Sequence, residues 1–126
     1  MTKDIFSIQN KKFIITGGLG QLGQAFLDEI ILRGGKVAII DIFDENEKKV
    51  LKLSLKYNAS NFMYICANVT QKKEIENAVS QIVEKWESVD VLINNAALDS
   101  PPDAPDSEVG PFEDYPESSY DKVMNV

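Results

Sequence analysis

Residues 13–23 read FIITGGLGQLG: an apolar run passes through Thr16 into glycines at positions 17, 18, 20 and 23, and a helix-like stretch follows. A strand that ends in glycines ahead of a helix brings bare backbone N–H groups and the positive end of the helix dipole to one point, which attracts a pyrophosphate. Gly17, Gly20 and Gly23 recur at every third residue, and Gly18, Gly20 and Gly23 satisfy the Gly-x-Gly-x-x-Gly spacing. In that pattern the glycines permit a tight turn, close approach of the ligand and close packing of helix on strand. The pattern is complete only with an acid about 20 residues further on, and Asp41 lies 23 residues after Gly18, at the end of KVAIID. A carboxylate there accepts hydrogen bonds from the ribose hydroxyls of an adenosine and repels a 2′-phosphate. No Arg or Lys stands in the glycine turn, and Ile42 and Phe43 follow the acid, so the expected cofactor is NAD in preference to NADP. The competing role for Asp41 is as a cap for the helix after it.

Working outward, strand and helix alternate. Lys12–Thr16 is expected as a first strand, and Gly20 to Arg33 as a helix whose Leu22, Phe26 and Ile30 recur at spacing four. Gly34 and Gly35 end that helix, and Lys36–Asp41 forms a second strand. The polar run Asp44-Glu45-Asn46-Glu47 is expected to open a helix running to Tyr57, with its acids at the positive end of the dipole. Phe62–Cys66 is the third strand, and Thr70 the expected N-cap of a helix from Gln71 to Trp86. Ile75, Ala78, Val79, Ile82, Val83 and Trp86 keep a 3.6-residue period along it. Asp90 to Asn94 is the fourth strand. Apolar strands that do not alternate are buried on both faces, and strands separated by helices run parallel. The fold class expected is therefore α/β: a doubly wound parallel sheet, Rossmann-like, comprising the first four strands and their helices. The glycine turn, Asp41, Asn68 and Asn94-Asn95 then gather at the C-terminal rim of the sheet.

The composition agrees with one domain over residues 1–126: 44% of residues are apolar and 26% charged. No apolar run is long enough to span a membrane and the first residues lack a signal-peptide core, so the expected setting is cytoplasmic. Cys66, the single cysteine, follows Met63, Tyr64 and Ile65 and is expected to be a buried, inert thiol. There is no histidine, which excludes a Ser-His-Asp triad, a His-based zinc site and an imidazole base built from these residues alone. The net charge of −7 is uneven: residues 1–98 hold twelve basic and twelve acidic residues, and residues 99–126 hold eight acids against Lys122. Without a basic patch a nucleic-acid partner is not expected. Residues 99–116 hold all five prolines and are expected as one acidic, Pro-rich irregular loop, either solvated or shaping a substrate entrance.

Four blocks together resemble the short-chain dehydrogenases/reductases over nearly the whole chain. TGGLGQLG (16–23) is similar to that family's cofactor turn, and IID (39–41) to its NAD-selecting strand end. ANVT (67–70) resembles its Asp-Val-Thr block, with Asn68 in place of Asp, and NNAA (94–97) resembles its Asn-Asn-Ala-Gly signature. The resemblance implies that Gly17, Gly20, Gln21, Leu22 and Gly23 hold the pyrophosphate, that Asp41 and the adjoining Ile42 hold the adenosine ribose, and that Asn68 and Val69 hold the adenine. Asn95, Ala96 and Ala97 would lie along the nicotinamide-side ribose. It further implies an oxidoreductase that moves a hydride between the nicotinamide and a carbinol or carbonyl carbon of a small-molecule substrate, as a homo-oligomer when full-length.

Departures from the family pattern are informative. Gly20 matches the glycine spacing of the extended, nucleotide-sugar-modifying branch, whereas Asn-Asn-Ala favours the compact branch. The family's reaction uses a Tyr-x-x-x-Lys pair, in which the Lys lowers the Tyr pKa. Here the fourth residue after Tyr57, Tyr64, Tyr115 and Tyr120 is Asn61, Asn68, Ser119 and Met124. No catalytic residue is therefore expected among these positions: SSYDKVMNV resembles the start of the helix that carries the family's catalytic Asn, one residue short of it. These residues are expected to bind NAD without turning over substrate. The alternatives are a non-catalytic NAD-binding module, an extended-branch dehydratase or epimerase, and a methyltransferase, which would leave NNAA unexplained.

Overall fold

The apolar runs at 12–16 and 36–41 form the two central strands of a parallel sheet. In the computed structural model, which describes residues 4–98 and 103–126, β1 (Lys12–Thr16) pairs with β2 (Lys36–Asp41), and β2 with β3 (Phe62–Cys66). β4 (Val91–Ile93) lies on the other side of β1, giving the strand order β3-β2-β1-β4. The order reverses between β1 and β4, and the crevice beyond the strand ends at such a reversal is where open α/β sheets bind ligands. α1 (Gln21–Leu32) and α2 (Lys48–Lys56) cover one face, where Phe13, Ile15, Val37, Ile39 and Phe62 pack with Leu27, Ile30, Val50 and Leu53. α3 (Lys72–Trp86) covers the other, where Ile14, Ala38, Ile40 and Ile65 pack with Ala78, Ile82 and Trp86. β2 is buried from Val37 to Ile40, as expected of a strand with helices on both sides.

Several expected boundaries and faces shift, each for a local reason. The buried stripe of α1 is Gly23, Leu27 and Ile30 rather than Leu22, Phe26 and Ile30; Leu22 is 59% exposed. α2 begins at Lys48, not Asp44, because the Asp44 carboxylate accepts hydrogen bonds from the Asn46 backbone and side-chain amides, both at 2.8 Å. An aspartate that bonds two residues ahead offers the backbone a turn instead of a helix. Those same bonds hold the Asp44 carboxyl below its usual pKa. Thr70 does not cap α3. Instead Asn68 Oδ1 accepts from the Thr70 N–H (3.0 Å) and hydroxyl (2.8 Å), forming the turn before a helix that starts at Lys72. α1 ends as expected: Gly34 takes φ +81°, and its N–H and that of Gly35 bond back to Ile31 and Ile30.

By its internal contacts the chain divides into Met1–Ala96, which contains this sheet, and Ala97–Val126. Residues 99–102, the start of the Pro-rich stretch, lie outside the described residues. In the second unit each short element is preceded by a proline: Pro105 before a 3-10 turn at Asp106–Glu108, Pro111 before another at Phe112–Asp114, and Pro116 before α4 (Glu117–Met124). The three proline carbonyls accept from Glu108, Asp114 and Ser119 at 2.7, 3.0 and 3.0 Å. No helix among the described residues is long and apolar enough to cross a membrane.

Candidate dinucleotide site

The site is assembled where β1, β2, β3 and β4 end. Gly17 follows β1 with φ +65°, in the left-handed region, and a Cβ there would stand 2.8 Å from Ala96 Cα. Its N–H is held by Ile40 O at 2.8 Å. Gly23, in the first turn of α1, packs on the glycine turn itself: a Cβ would come within 2.6 Å of Gly18 Cα. Gly20 differs. A Cβ there meets no protein atom closer than Gly17 O at 3.4 Å, so its missing side chain leaves open space ahead of the helix rather than relieving a clash. Gly20 is also the N-cap of α1, supplies no side-chain cap, and the first turn holds no acid. The amides of Gln21, Leu22 and Gly23 thus begin the helix without a side-chain acceptor, an arrangement suited to an anion.

Asp41 is tied to this turn. Its Oδ2 accepts from the Leu19 N–H at 3.1 Å and its Oδ1 from the Ile42 N–H at 2.8 Å. Its carboxylate is therefore bonded to the glycine turn and the exit of β2, not to the start of α2. Each carboxylate oxygen retains acceptor capacity beyond one bond, which is what ribose hydroxyls require. Leu19 is 1% exposed, and its carbonyl accepts from Gln24 Nε2 at 2.8 Å, so a fixed residue carries the N–H that aims the acid.

Asn68 is half-buried at the end of β3. Its carbonyl oxygen serves Thr70 as described, and its backbone N–H donates to Glu74 Oε2 at 2.6 Å. The side-chain amide donor is the part suited to a ligand. Val69 adjoins it, also half-buried. Beyond β4, the Asn95 and Ala96 N–H groups both donate to Thr16 Oγ1 at 3.1 Å, and Asn95 Nδ2 donates to Gly17 O at 3.1 Å. Thr16 thereby joins the NNA segment to the glycine turn across the strand-order reversal. The sequence signal for it was a single polar residue closing an apolar strand. Ala97 is exposed and opens the second unit.

Two side chains behave differently from the sequence reading or add to it. Cys66 is exposed rather than buried: it closes β3 at the rim, where the strand leaves the core, while Ile65 before it stays buried. Partial desolvation and the negative charges of Asp44 and Glu74 push its thiol pKa up. Tyr64, also on β3, points its hydroxyl at the segment after Asp41, donating to Phe43 O at 2.5 Å.

With this geometry in place, comparison with known proteins is direct. Residues 11–126 match the family described as short chain dehydrogenase. The chain is 34% identical over 119 residues to short-chain dehydrogenase reductase 3a of Arabidopsis thaliana, covering 94% of this chain and 42% of that protein. It is 26% identical over 121 residues to the NAD-dependent glycerol dehydrogenase of Listeria innocua, covering 96% and 43%. The structure superposes on a 3-ketoacyl-(acyl-carrier-protein) reductase from Brucella melitensis, complexed with NADH, with TM-score 0.77 at 21% identity, covering 95% and 45% of the two chains. The chain thus spans less than half the length of these proteins. With the glycine turn, the strand-end acid and residues 94–96 brought to one rim of a parallel sheet, and the family pattern matched from residue 11 to 126, the chain belongs to the short-chain dehydrogenase family.

Proposed function

We propose that these residues bind NAD for an oxidoreductase that moves a hydride between the nicotinamide and a carbinol or carbonyl carbon of a small molecule. The observation that carries the reading is the Asp41 carboxylate held against the glycine turn by the Leu19 N–H, 3.1 Å away. A carboxylate held there, beside an uncapped helix N-terminus, would supply the two recognition groups that an adenosine diphosphate needs. Gly20, Gln21, Leu22 and Gly23 would take the pyrophosphate, with Gly17 shaping the turn. Asp41 and Ile42 would border the adenosine ribose, Asn68 and Val69 the adenine, and Asn95 and Ala96 the nicotinamide ribose. When bound, the nicotinamide would supply the hydride chemistry. The Asp41 carboxylate, followed in sequence by Asp44 and Glu45, supports NAD over NADP, as does the likeness to the NAD-dependent glycerol dehydrogenase of Listeria innocua. A cytosolic homo-oligomer is part of the same reading.

Calorimetric titration of the full chain with each cofactor tests it. NAD is expected to bind at least about tenfold more tightly than NADP, a difference of about 1.4 kcal/mol. Equal or tighter binding of NADP would overturn the cofactor assignment. Incubation of the full-length protein with NAD and a panel of secondary alcohols should then build up reduced-nicotinamide absorbance; binding without any such signal favours a non-catalytic module.

A further inference from the structure

β2 ends at Asp41, and the next two residues, Ile42 and Phe43, are 61% and 45% exposed. The pairing of β2 with β3 ends at Asp41 and Cys66, so Ile42 and Phe43, which adjoin the acid, lie beyond the ladder. Strand β3 supplies the restraint. Tyr64 and Cys66 are two apart and so lie on the same face of β3, and both reach carbonyls of residues 41–43. The single Tyr64 hydroxyl proton goes to Phe43 O at 2.5 Å, with Asp41 O further off at 3.4 Å. Cys66 Sγ stands 3.6 Å from Ile42 O, and the Ala67 N–H donates to Asp41 O at 2.9 Å. Three successive carbonyls thereby face β3 and the residue that follows it.

We propose that Tyr64 is a positioning residue for the adenosine half of the cofactor: by fastening Phe43 O to β3, it holds the chain just after Asp41 and with it the Ile42 N–H that orients the Asp41 carboxylate. The inference rests on the dinucleotide reading given above. Burial, followed by the charge of Asp41, raises the Tyr64 pKa, so the phenol stays a neutral donor throughout the working pH range. The ring packs at the edge of the core formed by Phe62 and its neighbours, and Tyr64→Phe removes the donor alone.

Binding of ADP-ribose and of nicotinamide mononucleotide to the full chain tests the assignment. Tyr64→Phe is expected to weaken ADP-ribose about fivefold, the scale of one net hydrogen bond, with nicotinamide mononucleotide within twofold of wild type. Amide exchange at Ile42 and Phe43 should quicken while Val37 to Ile40 hold their rates. Cys66→Ala, which removes only the long sulfur contact, should move ADP-ribose less than twofold. An unchanged ADP-ribose affinity in Tyr64→Phe, equal losses for the two ligands, or a Cys66→Ala loss as large as that of Tyr64→Phe would each overturn the tether and leave the dinucleotide reading standing. Failure of the wild-type chain to bind either ADP-ribose or NAD would overturn both.

Discussion

The glycines of the 16–23 turn do different work, and single substitutions should separate them. Gly17 carries a positive φ and faces the Ala96 backbone, so Gly17→Ala strains the chain and pushes the β4 loop away; about 2 kcal/mol of stability should be lost in urea unfolding. Gly20→Ala meets no such obstacle, its nearest atom being 3.4 Å away, and stability should stay within about 0.5 kcal/mol of wild type. The added methyl instead enters the space before the uncapped amides, and NAD affinity should fall about tenfold. From spacing alone the three glycines were equivalent. Their neighbours distinguish them: Gly20 and Gly23 meet only the turn itself, whereas Gly17 meets Ala96, beyond β4, a neighbour that no local pattern encodes. Cys66 shows the same limit: Met63, Tyr64 and Ile65 beside it suggested burial, but the rim of the sheet leaves it exposed. Its raised pKa favours the unreactive thiol, so alkylation by iodoacetamide should be slow at neutral pH and accelerate only as pH climbs past the ordinary thiol range of about 8.5. A rate plateau already reached at pH 8 would contradict that assignment.

Between elements, one linkage frames the candidate site and another ties two helices together. Thr16 at the end of β1 accepts from both Asn95 and Ala96, and Thr16→Val keeps the shape while leaving two N–H groups without that acceptor. A loss of about 1–3 kcal/mol is expected in chemical denaturation, together with weaker NAD binding because the loop after β4 is released from the glycine turn. The second linkage joins α1 to α2: Asp28 accepts from the Tyr57 hydroxyl and, at 3.1 Å, from Lys56 Nζ. The hydrogen bond from Tyr57, then Lys56, lowers the Asp28 pKa. A depressed carboxyl pKa contributes stability above the unfolded-state value near 3.8, and that contribution disappears as pH falls through the folded-state value. Asp28→Asn should therefore lower the melting temperature modestly at pH 7, by no more than about 4 °C for so exposed a group, and the gap from wild type should close as the pH falls below the ordinary carboxyl value of 3.8. Strand and helix identities in this region were legible because apolar period and glycine punctuation are local. The start of α2 was not, since Asp44 reads equally well as a helix opener or as the acceptor of an Asx turn until its partner Asn46 is seen. Asn68 likewise displaced Thr70 as the residue organising the entry to α3.

At the scale of the whole chain, the parallel sheet and its C-terminal rim followed from non-alternating apolar strands separated by helices, whereas the position of β4 beside β1 rests on pairing that no strand reveals by itself. The two units also differ in what they bury. β1 and β2 place Ile15, Val37 and Ile39 at 0% exposure between helical layers, while the two 3-10 turns and α4 of the second unit bury no residue, and Val109, Phe112 and Met124 are 64%, 80% and 65% exposed. Local opening is governed by the apolar contact that must be broken, so the amides of the central strands are expected to open only with global unfolding and those of α4 by fraying. Native-state hydrogen exchange on the 126-residue chain should show Ile14, Ile15, Ala38 and Ile39 protected by at least about a thousandfold relative to Tyr120 and Val123, which corresponds to roughly 4 kcal/mol. Addition of NAD should slow exchange further at the strands and the glycine turn by mass action. Equal protection in α4 and β1 before any ligand is added would show that the second unit unfolds with the sheet and that its exposed apolar residues are covered in solution.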